Sequence, residues 1–285
     1  MLDPLRNWLS GLISSALEGF DKMLASAADV LKGGLGDWDA VLEWSEKLHS
    51  FCYIIIAICL LIELAQIASK VDIIKWEHGL KIGVKMVLAK VCIDNAPEFL
   101  KACYVQAQDW IGILSEGGST LGEITTRALD PLVQNVKGFG NILGMFLSSF
   151  IVLMAIKICG LLIQVIAYGR MFELYVYLVV SPLPCAFMPL GTGDGASVNR
   201  ITSKFFKSFI AVCLQGVMMI VVIRIFDTIM SGAIEDIVIA IAADPDADVN
   251  ASITDLIYTM LLGAIALVMA VVKSGSWSKG IMDAM

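Results

Sequence analysis

The chain has 285 residues, 58% of them hydrophobic and 16% charged, with a formal charge of −7. So apolar a composition excludes a soluble domain of ordinary make-up, and the acidic balance argues against nucleic acid as the main partner. Its seven cysteines form no CxxC pair, and His49 and His78 lie far apart, so no zinc site is expected.

In chain order, residues 1–32 read as an amphipathic helix. Asp3 is placed to cap it and Pro4 takes the first helical position. Leu2, Leu5, Leu9, Leu12, Ala16, Leu17, Phe20, Leu24 and Leu31 make one apolar stripe at three-to-four spacing, and Gly33 and Gly34 end it. A basic start, a continuous apolar core and a cleavage site are all missing, so it does not read as a signal peptide. Two fates follow for such a helix: lying on the outer membrane surface, or packing against copies of itself or a partner, with assembly preferred. A second helix starts near Asp37 and carries Val41, Leu42, Leu48 and Phe51 into the first long apolar stretch.

Five such stretches follow, at 51–69, 139–168, 171–190, 205–230 and 253–272. A span needs roughly 20 mainly apolar residues. Backbone groups in lipid must be satisfied within the segment, so the stretches are helices. The expected fold is therefore all-α: a polytopic membrane protein with about five transmembrane helices plus amphipathic N-terminal and cytoplasmic helices. Its expected parts are extracytoplasmic amphipathic helices over 1–50 and a first span over 51–69. A cytoplasmic or interfacial region over 70–138 and a four-helix transmembrane domain over 139–285 complete it.

The segment 79–93 is apolar enough to tempt a further span. Lys81, Lys85 and Lys90 punctuate it, so it reads as a cytoplasmic or interfacial helix. Asn95 and Pro97 then open another amphipathic helix bearing Phe99, Leu100, Tyr104, Trp110 and Ile111. Residues 121–136 give a weaker helical pattern, interrupted by Pro131.

Charge orients the spans. Lys70, Lys75, Lys81, Lys85 and Lys90 follow the first, Arg200, Lys204 and Lys207 precede the fourth, and Lys273 and Lys279 follow the fifth. These ends should be inside, while the loop with Asp244, Asp246 and Asp248 should be outside. The N-terminus is then outside and the C-terminus inside. All six tryptophans fall outside the spans, where an interfacial belt would put them.

Polar groups within apolar stretches mark protein interiors or water-filled cavities. Glu63, Lys157, Gln164, Arg224 and Asp227 are such groups. Arg224 and Asp227, three apart, can pair on one helix face. Lys157 and Gln164 share a face two turns apart, and Lys157 is a candidate partner for Glu63 across helices, or a pore-lining group. The third stretch breaks at Ser181, Pro182 and Pro184, with Pro189 before the glycine-rich turn 191–195. That turn lacks the Gly-Lys-Ser/Thr of a phosphate loop. The aspartates near 244–250 lack the central glycine of an EF-hand, so a solvated acidic loop is expected there and no metal. No nucleophile, metal motif or paired catalytic carboxylates appear, so no enzyme is expected.

Three stretches together carry a family likeness. They are FELYVYLVVSPLPCAFMPL at 172–190, NRITSKFFKSFIAVCLQGVMMIVV at 199–222 and VVKSGSWSKGIM at 271–282. In these the chain resembles the TrbL family of conjugal-transfer membrane proteins, polytopic inner-membrane subunits of type IV secretion systems. The likeness covers mainly 139–285; residues 1–138 match in plan rather than motif. It implies a non-enzymatic channel or scaffold subunit in the bacterial cytoplasmic membrane. The implied assembly is a homo-oligomeric ring, with a pentamer favoured, held partly by structural phospholipids and needing no other cofactor. Implied partners are the other secretion subunits and ATPases, membrane lipids, and a transient single-stranded DNA–protein substrate that would first meet Arg200, Lys204 and Lys207. The alternative is a small secondary transporter or ion channel using Lys157, Glu63 and Arg224.

Overall fold

The computed structural model describes residues 3–33, 38–70, 76–116, 139–190, 198–243 and 249–284, and every regular element in them is helical. The helices are α1 (Asp3–Gly33), α2 (Trp38–Lys70), α3 (Trp76–Ser115), α4 (Phe139–Val180), the short α5 (Pro182–Ala186), α6 (Val198–Ala243) and α7 (Val249–Ala284). A 3₁₀ turn, Met188–Leu190, follows α5. The weak helix expected at 121–136, the glycine-rich turn at 191–195 and the acidic loop at 244–248 lie outside the described residues.

Four helices, α2, α4, α6 and α7, are long and apolar enough to cross a membrane. The stretches 139–168 and 171–190, expected as separate spans, prove largely continuous: α4 runs unbroken through Gly169 and Arg170. A single interior glycine costs a helix only about 1 kcal/mol. Arg170 is also tied one turn on to Glu173, N–O 2.5 Å. At 42 residues α4 is about 63 Å long, roughly twice a hydrocarbon core. Likewise α3 does not restart at Pro97 but runs through it. An interior proline costs about 3 kcal/mol. Here Ala96, Pro97 and Leu100 are all buried, so packing holds the helix together across the lost bond. Asn95 adds a side-chain bond, Nδ2 donating to the Val91 carbonyl at 2.7 Å.

The chain divides into two compact units. The first takes in α1, the end of α3 from Trp110, α4 up to Gly169, α6 from Gly216 and α7 up to Ser276. Its core is built around α1. Ile13, Leu17, Phe20, Leu24, Ala27 and Leu31 are buried among Leu153, Ile156 and Ile163 of α4, Met219 and Ile223 of α6, and Leu256 and Met260 of α7. The apolar stripe of the N-terminal helix thus finds its partner inside its own chain. This intrachain packing stands beside the two fates expected for it, the outer membrane surface and packing against copies of itself or a partner. Helices in lipid gain little from the hydrophobic effect and rely on close packing through small residues. Gly160 supplies one such approach: a Cβ there would stand 2.9 Å from both Met23 Sδ and Phe20 Cδ2.

The second unit contains α2, α3 up to Asp109, α4 from Arg170, α5, α6 up to Gln215 and the end of α7 from Trp277. Here α2 and α3 run antiparallel. The Tyr53 hydroxyl donates to Asp94 Oδ1 at 2.5 Å, and Lys85 Nζ lies 3.6 Å from Glu63 Oε1. Cys52, Ile56, Ala89, Ile93 and Ala96 fill the seam between them together with Cys185 and Ala186. The segment 79–93 therefore lies side by side with the first apolar stretch. Both helices turn apolar side chains outward, Ile54, Ile58 and Leu61 from α2 and Val84, Val87 and Leu88 from α3.

Gly160→Val should force Phe20 and Met23 away and loosen α1. Overpacking of this kind costs about 1–3 kcal/mol. Thermal unfolding in detergent should show a lower midpoint and earlier proteolysis within α1. Gly169→Ala, with nothing within 4 Å of the added carbon, should leave the midpoint unchanged or raised.

Candidate functional site

The polar residues singled out within the spans separate into the two units. In the first, Gln164 and Lys157 face α1. Gln164 Nε2 donates to Ser26 Oγ at 2.9 Å. The Lys157 stem runs past Gly19, where a Cβ would stand 3.7 Å from Lys157 Cε. Both contacts pair a residue of a candidate membrane span with a residue of α1. They set α1 alongside the first half of that span, in parallel register.

The other side of α1 is mainly polar. Asn7, Gly11, Ser15, Glu18, Lys22, Ala25, Asp29 and Lys32 are exposed along it at three- and four-residue steps, with Trp8 exposed at its start. Glu18 and Lys22 form an ion pair at 3.5 Å along this seam. The outward side chains of α4 over the same stretch are apolar: Leu147, Ile151, Met154, Ile158, Leu161 and Val165. The first unit therefore shows a lipid-compatible surface on α4 and a water-compatible one on α1.

Arg224 and Asp227 form the expected pair, N–O 3.7 Å, with Asp227 buried. Arg224 also has a second task that the sequence did not show. Its Nε donates to the Leu114 carbonyl at 3.0 Å and its Nη2 to the Ser115 carbonyl. These are carbonyls of the last turn of α3, which lack intrahelical donors. A cation there also complements the negative end of the helix dipole. Arg224 is thus engaged in ending a helix, which weakens its candidacy as a transport residue.

In the second unit Glu63 is 1% exposed, and the cation beside it is Lys85, not the Lys157 proposed from the sequence. Glu63 and Lys157 belong to different units. No hydrogen bond reaches either Glu63 oxygen among the described residues, so Lys85 is its main compensation. The signal that could have found Lys85 was present: it is a lysine inside an otherwise apolar run, one helix away from a buried glutamate.

The helix break is closed by hydroxyls. Ser181 is fully buried and its Oγ donates to the Leu178 carbonyl at 2.8 Å. Thr202 Oγ1 donates to the Pro184 carbonyl at 2.9 Å, tying the start of α6 to the break. The prolines 182, 184 and 189 are buried. Aromatic contacts hold α6 nearby: Tyr177 against Phe205 at 5.3 Å and Phe99 against Phe206 at 6.2 Å between ring centroids. Lys204 is exposed on the first turns of α6 and Lys207 is partly buried, while the Arg200 side chain lies outside the described residues. Trp38 lies 5.2 Å between ring centroids from both Tyr104, tilted, and Tyr175, edge-on, with Lys101 Nζ 5.8 Å from its ring. The Tyr104 side chain is buried, and its hydroxyl donates to Met171 Sδ at 3.0 Å. No group of three or more metal-ligating side chains converges among the described residues.

A family model, that of the TrbL/VirB6 plasmid conjugal transfer like protein, matches residues 49–182. No curated protein and no solved structure matches the chain. The match covers just under half of the 285 residues and begins well before residue 139, where the motif likeness was placed. It takes in most of α2, all of α3 and all of α4, and ends at the proline break. Over residues 49–182 the chain is similar to the TrbL/VirB6 family of plasmid conjugal transfer proteins.

Proposed function

We propose that this chain is a non-enzymatic channel or scaffold subunit of a type IV secretion system, assembled as a homo-oligomeric ring in the bacterial cytoplasmic membrane. The observation that carries the reading is the hydrophilic seam of α1, held at the depth of a candidate span by the Gln164–Ser26 bond. A charged side chain at the bilayer centre costs about 2.5–3.5 kcal/mol even on the most lenient scale. Glu18, Lys22, Asp29 and Lys32 all stand on that seam. Such a face needs water or protein against it. A ring that turns α1 toward a water-filled centre and α4 toward lipid satisfies both surfaces of the first unit. Five copies are the favoured number, with phospholipids filling gaps between them. Other secretion subunits and the ATPases are the expected partners. A single-stranded DNA–protein substrate would first meet the basic start of α6 at Arg200, Lys204 and Lys207.

The membrane is crossed five times in this reading, by α2, α3, α4, α6 and α7, with the N-terminus outside. The pairing of 79–93 with the first apolar stretch supports counting α3, whose Lys85 is neutralised by Glu63. Lys70 and Lys75, the start of α6 and the end of α7 then all face the cytoplasm. The acidic loop after α6 faces outward, as charge bias requires.

Glu18→Cys, treated with a bismaleimide in native membranes, should give a ladder of crosslinked species ending at one closed size. Monomer alone would contradict the ring. Phosphatase fusions at residue 73 should be inactive and those at residue 125 active. The reverse pattern, or inactivity at both, would remove α3 from the spans.

A further inference from the structure

We propose that Cys92 and Cys185 are an oxidisable thiol pair that clasps α3 to the helix break. Their sulfurs stand 2.7 Å apart, inside the contact distance of two unbonded sulfur atoms. They come from segments 93 residues apart in the chain, so the approach is made by the fold and not by neighbouring positions. Cys185 is fully buried and follows Pro184 directly, within the short α5. Cys92 is only half-buried, on the face of α3 that meets that segment. Both are free thiols in the structure.

Reactivity divides naturally between the two. A thiolate is the nucleophile in such chemistry, and access decides which one reacts. Cys92 is the more accessible of the two, since Cys185 is fully buried. The oxidant is hydrogen peroxide. Cys92 sulfur attacks one peroxide oxygen, the O–O bond breaks, water leaves and a sulfenic acid forms. Cys185 sulfur then attacks Cys92 sulfur, the S–S bond forms, the S–O bond breaks and a second water leaves. Two electrons pass from the sulfurs to the peroxide. The product ties α3 covalently to the segment between Ser181 and Leu190, whose fold otherwise rests on the Ser181 and Thr202 hydroxyl bonds. Cys52 lies fully buried in the same core and is the one competing thiol there among the described residues.

The full chain in its native membranes would be treated with hydrogen peroxide, capped with N-ethylmaleimide, digested and mapped by mass spectrometry. The expected result is a Cys92–Cys185 crosslinked peptide, lost in Cys92→Ser and kept in Cys52→Ser. Amide exchange at residues 183–188 should slow on the order of tenfold in the oxidised protein. Recovery of Cys92 and Cys185 as separately capped thiols would overturn the pair, as would a Cys52–Cys185 link or overoxidised Cys92 without a crosslink. A crosslink with unchanged exchange would overturn the clasp. Because none of these readouts depends on conjugation or on ring formation, the outcome is separate from the functional reading above.

Discussion

Much of this structure depends on one requirement: polar groups at membrane depth must meet either water or another polar group. In the first unit that requirement is met by setting an amphipathic helix among apolar ones. The apolar stripe of α1 closes the core, and the Gln164–Ser26 bond fixes its register against α4. Polar residues of the span are thereby covered by α1, and the charge is moved to the far face of α1. The Arg224 contacts with the end of α3 follow the same logic. A cation that would be costly alone satisfies carbonyls that would also be costly alone.

In the second unit the same requirement is met pairwise. Lys85 compensates Glu63 between antiparallel helices, and Thr202 donates to the carbonyl of Pro184 in the broken segment. Each of these bonds joins segments distant in sequence, so the unit is specified by a few polar contacts set in an apolar seam. The TrbL/VirB6-type region ends where the break begins. The α2–α3 pair and the run of α4 are thus the parts shared with that family.

Helix content, the proline break and the amphipathic character of residues 1–32 were all legible in the sequence, because each rests on local spacing. What α1 packs against was not legible. An apolar stripe states that a partner exists but not where it is, and only the tertiary fold brings Phe20 to Gly160. The continuity of α4 was misread at Gly169–Arg170 because a charge beside a glycine looks like a boundary, while the Glu173 pairing removes its cost. Glu63 was paired with Lys157 in the sequence, and Lys85 was passed over because its run read as a cytoplasmic or interfacial helix. The cysteines were read as packing residues one at a time, and the meeting of Cys92 with Cys185 is a property of the fold.

The central claim is that α1 stands at membrane depth with its charged seam in water. Single cysteines at Ser15, Lys22 and Ala25 of α1, and at Met154 and Leu161 of α4, would be placed in a chain lacking its native cysteines. Each would be exposed, in intact membranes, to a charged maleimide that cannot enter lipid. Rapid labelling of the three α1 positions with protection of the two α4 positions is the predicted result. Protection of the α1 positions, together with quenching by lipid-chain labels, would place the seam in lipid and contradict the account.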